Sequence, residues 1–190
     1  MGSKTTSLIT DKYPHPDIIE LVVLVVTVNT PNNYYESFVN PGWPVPADST
    51  KYNNISNDIV ASALPFEVIA EQFWTQFFSE ANDMLVFIAY NGDHFDTLIL
   101  QYSLKHIDIK SPNWCFTDSI SLIKQIQPHL GSYCLKNLHT HAFDISIENT
   151  HRAHADVDAL HNILLYYFNN IKNEEEVDVY KKIITTLYRL

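Results

Sequence analysis

His151-Arg152-Ala153-His154-Ala155-Asp156 opens a helical pattern late in the chain. The apolar residues Ala153, Val157, Leu160, Leu164 and Tyr167 recur every three or four positions, which predicts a long core helix from this point. An imidazole at the mouth of a helix, with a carboxylate just inside its first turns, suits the removal of a proton from a metal-bound water. A second carboxylate segment, Asn91-Gly92-Asp93-His94-Phe95-Asp96, lies upstream. There an apolar strand over 84–90 meets an Asn-Gly turn and then the helical pattern Phe95, Leu98, Ile99, Tyr102. That order lifts Asp96 to the carboxyl end of the strand, the edge where α/β sheets bind ligands. The helix start also favours its anionic form. Read alone, Asp96 fits an ordinary helix-starting aspartate better.

Working outward, residues 18–28 form a continuous apolar, β-branched run and read as a buried strand. Residues 34–40 alternate as a strand returning antiparallel to it, and the prolines of 41–46 make a rigid loop. A short helix is expected over 57–61 and a longer one over 65–79, where Phe66, Ile69, Phe73 and Phe77 keep helical spacing. Residues 114–118 read as a short strand, 119–127 and 135–143 as helices, and 174–190 as a separate amphipathic helix. An antiparallel pair followed by alternating strands and helices implies an α/β mixed sheet with helices on its faces.

The chain has 190 residues, 46% of them hydrophobic and 18% charged, which suits one domain with a sizeable core. Its formal net charge of −10 argues against a broad basic surface for long-range capture of nucleic acid, though not against a metal-dependent nuclease, whose site is itself acidic. Two cysteines, Cys115 and Cys134, make neither a metal motif nor a disulfide framework, so a reducing intracellular setting is expected. The run from Leu21 to Val26 is too short to span a bilayer, and no charged-then-apolar signal opens the chain. Met1-Gly2-Ser3 resembles an added leader, which leaves the natural start open.

Together the segments resemble the DEDDh exonucleases, the DnaQ-like branch of the ribonuclease H-like fold. Tyr90-Asn91-Gly92-Asp93-His94-Phe95-Asp96 is similar to that family's second motif, with Tyr90 where histidine is usual. His151-Arg152-Ala153-His154-Ala155-Asp156 resembles its third, H-x-A-x-x-D. Asp17-Ile18-Ile19-Glu20-Leu21, Phe38-Val39-Asn40-Pro41-Gly42, Phe116-Thr117-Asp118-Ser119 and Tyr133-Cys134-Leu135-Lys136-Asn137-Leu138 resemble further landmarks in the right order. The resemblance implies an exonuclease-like domain over 1–170, with 171–190 as a C-terminal amphipathic helix on or beside it. It implies Asp96 and Asp156 as ligands of Mg²⁺ or Mn²⁺, with His151 as general base. It further implies two-metal removal of nucleotides from the 3′ end of a single-stranded nucleic acid. His154, Asp158 and His161 match no functional position and read as solvent-facing helix residues.

The first motif, D-x-E, is not present in ordinary form, and two registers compete. In one, Lys4-Thr5-Thr6-Ser7-Leu8 resembles the family's E-T-T-G-L, which puts Gly2 and Lys4 where Asp and Glu belong and leaves the first strand missing. In the other, residues 6–10 are the strand and Asp11-Lys12-Tyr13 replaces the motif. The first register predicts a Lys4 ammonium lying against Asp96 and Asp156. The second predicts Asp11 joining them as a ligand. Three functions follow: an exonuclease; a catalytically impaired nuclease-fold module gripping a single-stranded end; or an interaction protein whose helix over 174–190 docks a protein partner. None of these needs a membrane.

Overall fold

The computed structural model describes residues 1–11, 14–26, 32–77, 85–105, 107, 114–147 and 152–170. The helix and protein partner expected at 174–190 lie outside these residues, as does His151.

Strand β1 (Gly2–Thr5) pairs antiparallel with β2 (Ile18–Val25), and β2 pairs antiparallel with β3 (Asn33–Phe38). A loop and two short helices, α1 (Ala47–Asn53) and α2 (Asn57–Val60), lead to the long helix α3 (Phe66–Phe77). Then come β4 (Leu85–Ala89), a single 3₁₀ turn at Gly92–His94, and α4 (Asp96–Leu104). Strand β5 (Trp114–Asp118) pairs parallel with β4. Helices α5 (Ser119–Ile126), α6 (Leu135–Phe143) and α7 (Ala153–Asn169) complete the described chain. The architecture is thus the expected α/β arrangement of mixed strands flanked by helices. The strands fall into a three-stranded and a two-stranded sheet. A bond from the Met1 nitrogen to the Ile88 carbonyl, 2.8 Å, joins the start of β1 to β4.

The apolar run on β2 is buried on both faces. Leu21 and Val23 pack with Ile69 and Phe73 of α3 and with Ile99 of α4, while Val22 packs against Ala153 and Val157 of α7. A second core joins Ile123 of α5, Leu138 of α6, and Leu160, Ile163 and Tyr167 of α7. Helix α7 therefore touches β1, β2, α5 and α6, and its first turns are held against the strands.

The structure corrects one expectation about the amino end. With Lys4 in register, the first strand is present, though only four residues long: Gly2, Ser3 and Lys4 face Val22, Leu21 and Glu20. Residues 6–10 form no strand, because Thr6 already turns the chain back by donating its N–H to the Asp17 carbonyl. Asp11 lies exposed beyond that turn, so the register that made it a ligand does not hold.

Candidate active site

Asp96 is delivered by the end of β4. Asn91 adopts a left-handed conformation (φ 53°), which asparagine tolerates, and Gly92 follows where the chain is tight. A Cβ on Gly92 would stand 2.9 Å from the Ala89 Cβ and 3.0 Å from Thr97 Oγ1, so the turn has no room for a side chain. Helix α4 then begins on Asp96 itself. Its Oδ1 accepts two bonds from Ser3, from the main-chain N–H at 2.8 Å and the hydroxyl at 2.6 Å. Burial pushes the Asp96 carboxyl above its ordinary range; the Ser3 bonds and the positive charges of the Met1 amino group and Lys4 oppose that shift without cancelling it.

Asp156 comes from the first turn of α7, and its Oδ2 lies 2.7 Å from the Lys4 ammonium. What holds that turn in place is Glu20, a wholly buried carboxylate in β2. Glu20 Oε1 accepts from Arg152 Nε (3.1 Å) and Nη2 (2.7 Å), and Oε2 accepts from the Ala153 N–H (3.1 Å). The carboxylate thereby caps a helix start whose own N-cap, Arg152, makes no side-chain cap bond. Tyr90, at the position where the resemblance leads one to expect histidine, ties β4 to α6. Its hydroxyl donates to the Tyr133 carbonyl (3.2 Å) and accepts from the Leu135 N–H (3.1 Å).

Asp96, Asp156, Ser3 and Lys4 line a single cleft of about 1010 Å³. Leu8, Trp43 and Tyr52 also line it, with 70%, 42% and 63% of their surfaces exposed. The two carboxylates thus reach one pocket. His154 stays outside it on the far side of α7, between Glu36 (2.9 Å) and Asp158 (3.5 Å), beside a bond from the Tyr34 hydroxyl to Asp158. His161, bonded to Asn32, is likewise peripheral.

Sequence reasoning gave Ser3 and Glu20 no role. Nothing marks Ser3, because its contact depends on strand placement. Glu20 did carry a signal: a carboxylate inside an otherwise apolar strand needs buried partners.

A family model described as RNase T, exonuclease, matches residues 5–164. The chain belongs to this exonuclease family. The match begins at Thr5, the last residue of β1, takes in β2 to β5 and the Asp96 turn, and ends within α7. The chain is 28% identical over 144 residues to a PolC-type DNA polymerase III of Listeria innocua, covering 75% of this chain and 9% of that protein. It is 24% identical over 155 residues to the 3′-5′ exonuclease DinG of Bacillus subtilis, covering 82% and 16%. The chain therefore spans a small part of these relatives. Among solved structures, exonuclease X in complex with 5′ overhanging duplex DNA matches with a TM-score of 0.60 and 15% identity, over 92% of this chain and 93% of that one. Cell-death related nuclease 4 matches with a TM-score of 0.67 and 17% identity, over 88% and 62%. These neighbours show the ribonuclease H-like exonuclease fold.

Exonucleases of this family normally use divalent metal ions. The residues of this cleft do not fit a pair of them. Two of the four positions that the resemblance reserves for carboxylates carry Gly2 and Lys4, and Lys4 places a positive charge on Asp156. A divalent ion about 4 Å from that ammonium would meet a repulsion of roughly 8 kcal/mol at an effective dielectric constant of about 20. Among the described residues, no group of three or more His, Cys, Asp or Glu is placed to hold a metal. No helix among them is long and apolar enough to cross a membrane.

Proposed function

We propose that residues 1–170 form an exonuclease-family module that takes the 3′ end of a single-stranded nucleic acid into the cleft and holds it without two-metal hydrolysis. The observation that carries this reading is the Lys4 ammonium 2.7 Å from Asp156, in a cleft whose floor also contains Asp96. Exposed Trp43 and Tyr52 offer aromatic faces on which bases can stack, a sequence-tolerant contribution of about 1–3 kcal/mol per base. The chain's charge of −10 gives no broad electrostatic capture, so affinity comes from these short-range contacts and falls only gently with salt.

The competing reading keeps hydrolysis. In it His151 is the general base, and Asp96 and Asp156 hold Mg²⁺ or Mn²⁺. It is favoured by the family match and by the convergence of the two carboxylates on one cleft.

A 5′-labelled single strand, as DNA and as RNA, separates the two. Filter binding is expected to show an end-dependent complex that a circular single strand competes for poorly, and strand length is expected to stay constant with Mg²⁺ or Mn²⁺ present. Stepwise shortening that Asp96→Asn abolishes would establish the hydrolytic reading instead. Equal competition by the circular strand would remove the 3′ end as the ligand.

A further inference from the structure

The strand that carries Lys4 has a definite parity. Gly2 and Lys4 lie two residues apart on one face of β1, and both point at the first turns of α7. A Cβ on Gly2 would stand 3.2 Å from Val157 Cγ2 and 3.5 Å from the Ala153 carbonyl oxygen, and Lys4 reaches Asp156 on the next part of the same helix face. Ser3, of opposite parity, gives both of its donors to Asp96. Each surviving carboxylate therefore accepts from a protein donor, and the donor on Asp156 is cationic. The Lys4 side chain is only 16% exposed, so the charge is held in the cleft rather than in solvent. The register is fixed by pairing: Lys4 stands opposite Glu20, which is itself anchored to Arg152 and Ala153.

We infer that Lys4 is a built-in cation that takes over the charge-neutralising role of a divalent ion in this cleft. Its ammonium offsets the carboxylates that would otherwise repel a phosphodiester, so an anionic strand end is accepted without added metal. The nucleic-acid part of this inference rests on the 3′-end reading above; the metal part does not.

Two measurements test it, the first without nucleic acid. Mn²⁺ is titrated into the whole protein, and the free-ion signal is read by electron paramagnetic resonance. Wild type is expected to leave the free signal unchanged, while the double variant Gly2→Asp, Lys4→Glu removes ions from solution, an effect that adding Asp96→Asn reverses. Mn²⁺ binding by wild type that Asp156→Asn abolishes would overturn the inference. So would a double variant that unfolds cooperatively yet leaves the signal at its free value.

The second measurement uses Lys4→Gln, which removes the charge while keeping an extended polar side chain, in case the double variant does not fold. Wild-type affinity for the labelled strand is expected to be the same in EDTA and in Mg²⁺. Lys4→Gln is expected to bind roughly tenfold more weakly in EDTA, a loss of about 1.4 kcal/mol, and to recover part of it when Mg²⁺ is added. Wild-type binding that collapses in EDTA would overturn the inference, as would a Lys4→Gln protein indistinguishable from wild type. If no protein binds the strand, the 3′-end reading fails, and the Mn²⁺ titration still decides the role of Lys4.

Discussion

Removing Arg152 should destabilise the fold more than neutralising Glu20, although the Arg152 side chain is 45% exposed and that of Glu20 only 1%. Glu20 receives three N–H donors, two from the Arg152 guanidinium and one from the Ala153 main chain. Arg152→Ala leaves an ionised carboxylate in an apolar strand with a single donor. Breaking a buried pair in this way costs about 3–5 kcal/mol, and the half-exposed guanidinium argues for the lower end, near 3 kcal/mol. Contact between Arg152 and the Phe38 ring, 5.5 Å from its centroid, is lost as well. Glu20→Gln removes the charge instead. The amide oxygen can still accept from Ala153, and Arg152 can turn its head into water, so the expected cost is about 1–2 kcal/mol.

For a chain of this size, each kcal/mol lowers the melting temperature by roughly 2–4 °C. Arg152→Ala should therefore melt roughly 6–12 °C below wild type, against roughly 2–8 °C for Glu20→Gln. Calorimetry or circular dichroism at neutral pH measures both. The double variant adds a sharper check: with Glu20 already neutral, deleting Arg152 should cost little more than Glu20→Gln alone. If Glu20→Gln proves more damaging than Arg152→Ala, or if the two costs simply add, the carboxylate is not held by the guanidinium as described.

Two further outcomes follow from the site. Gly92→Ala forces a methyl to within 2.9 Å of the Ala89 Cβ and should cost about 1–3 kcal/mol, read as a lower midpoint in urea with an unchanged slope. Asp96→Asn keeps an oxygen for the two Ser3 donors while removing a desolvated charge, so it should raise the melting temperature at neutral pH. Because burial holds the native Asp96 pKa above 3.8, native protein binds more protons than unfolded chain between those values. The gain should therefore shrink as pH falls through the raised native pKa towards 3.8; a gain that grows on acidification would contradict this sign.

Much of the fold could be read from periodicity because the elements bury what their patterns announce. The run at 18–28 appears as β2, Ile18–Val25, and the spacing at 65–79 as α3, Phe66–Phe77. Helix α6 occupies the expected 135–143. Helix α1 was not legible: Ala-Asp-Ser-Thr-Lys-Tyr-Asn has no apolar stripe, and Asn53 is its one buried residue. Strand β1 was missed for a related reason. Gly-Ser-Lys-Thr has no apolar alternation, and its extended form comes from pairing with β2, a tertiary contact. The two site carboxylates stood out because each lies at a helix start after a recognisable turn or motif. Ser3 carries no such mark, and the partners of Glu20 lie 132 and 133 residues away.

The Lys4 position also shows why membership of a family and the chemistry of a site have to be argued separately. The backbone that presents residues 2 and 4 to α7 is set by pairing with β2 and by the Glu20 anchor, neither of which involves the cleft. A change at residue 4 can therefore reverse the charge facing Asp156 while the strand, its register and the cleft stay as they are. Positions 2 and 4, which the resemblance reserves for carboxylates, here carry a glycine and an ammonium. The family-model match starts at residue 5 and does not reach these two positions.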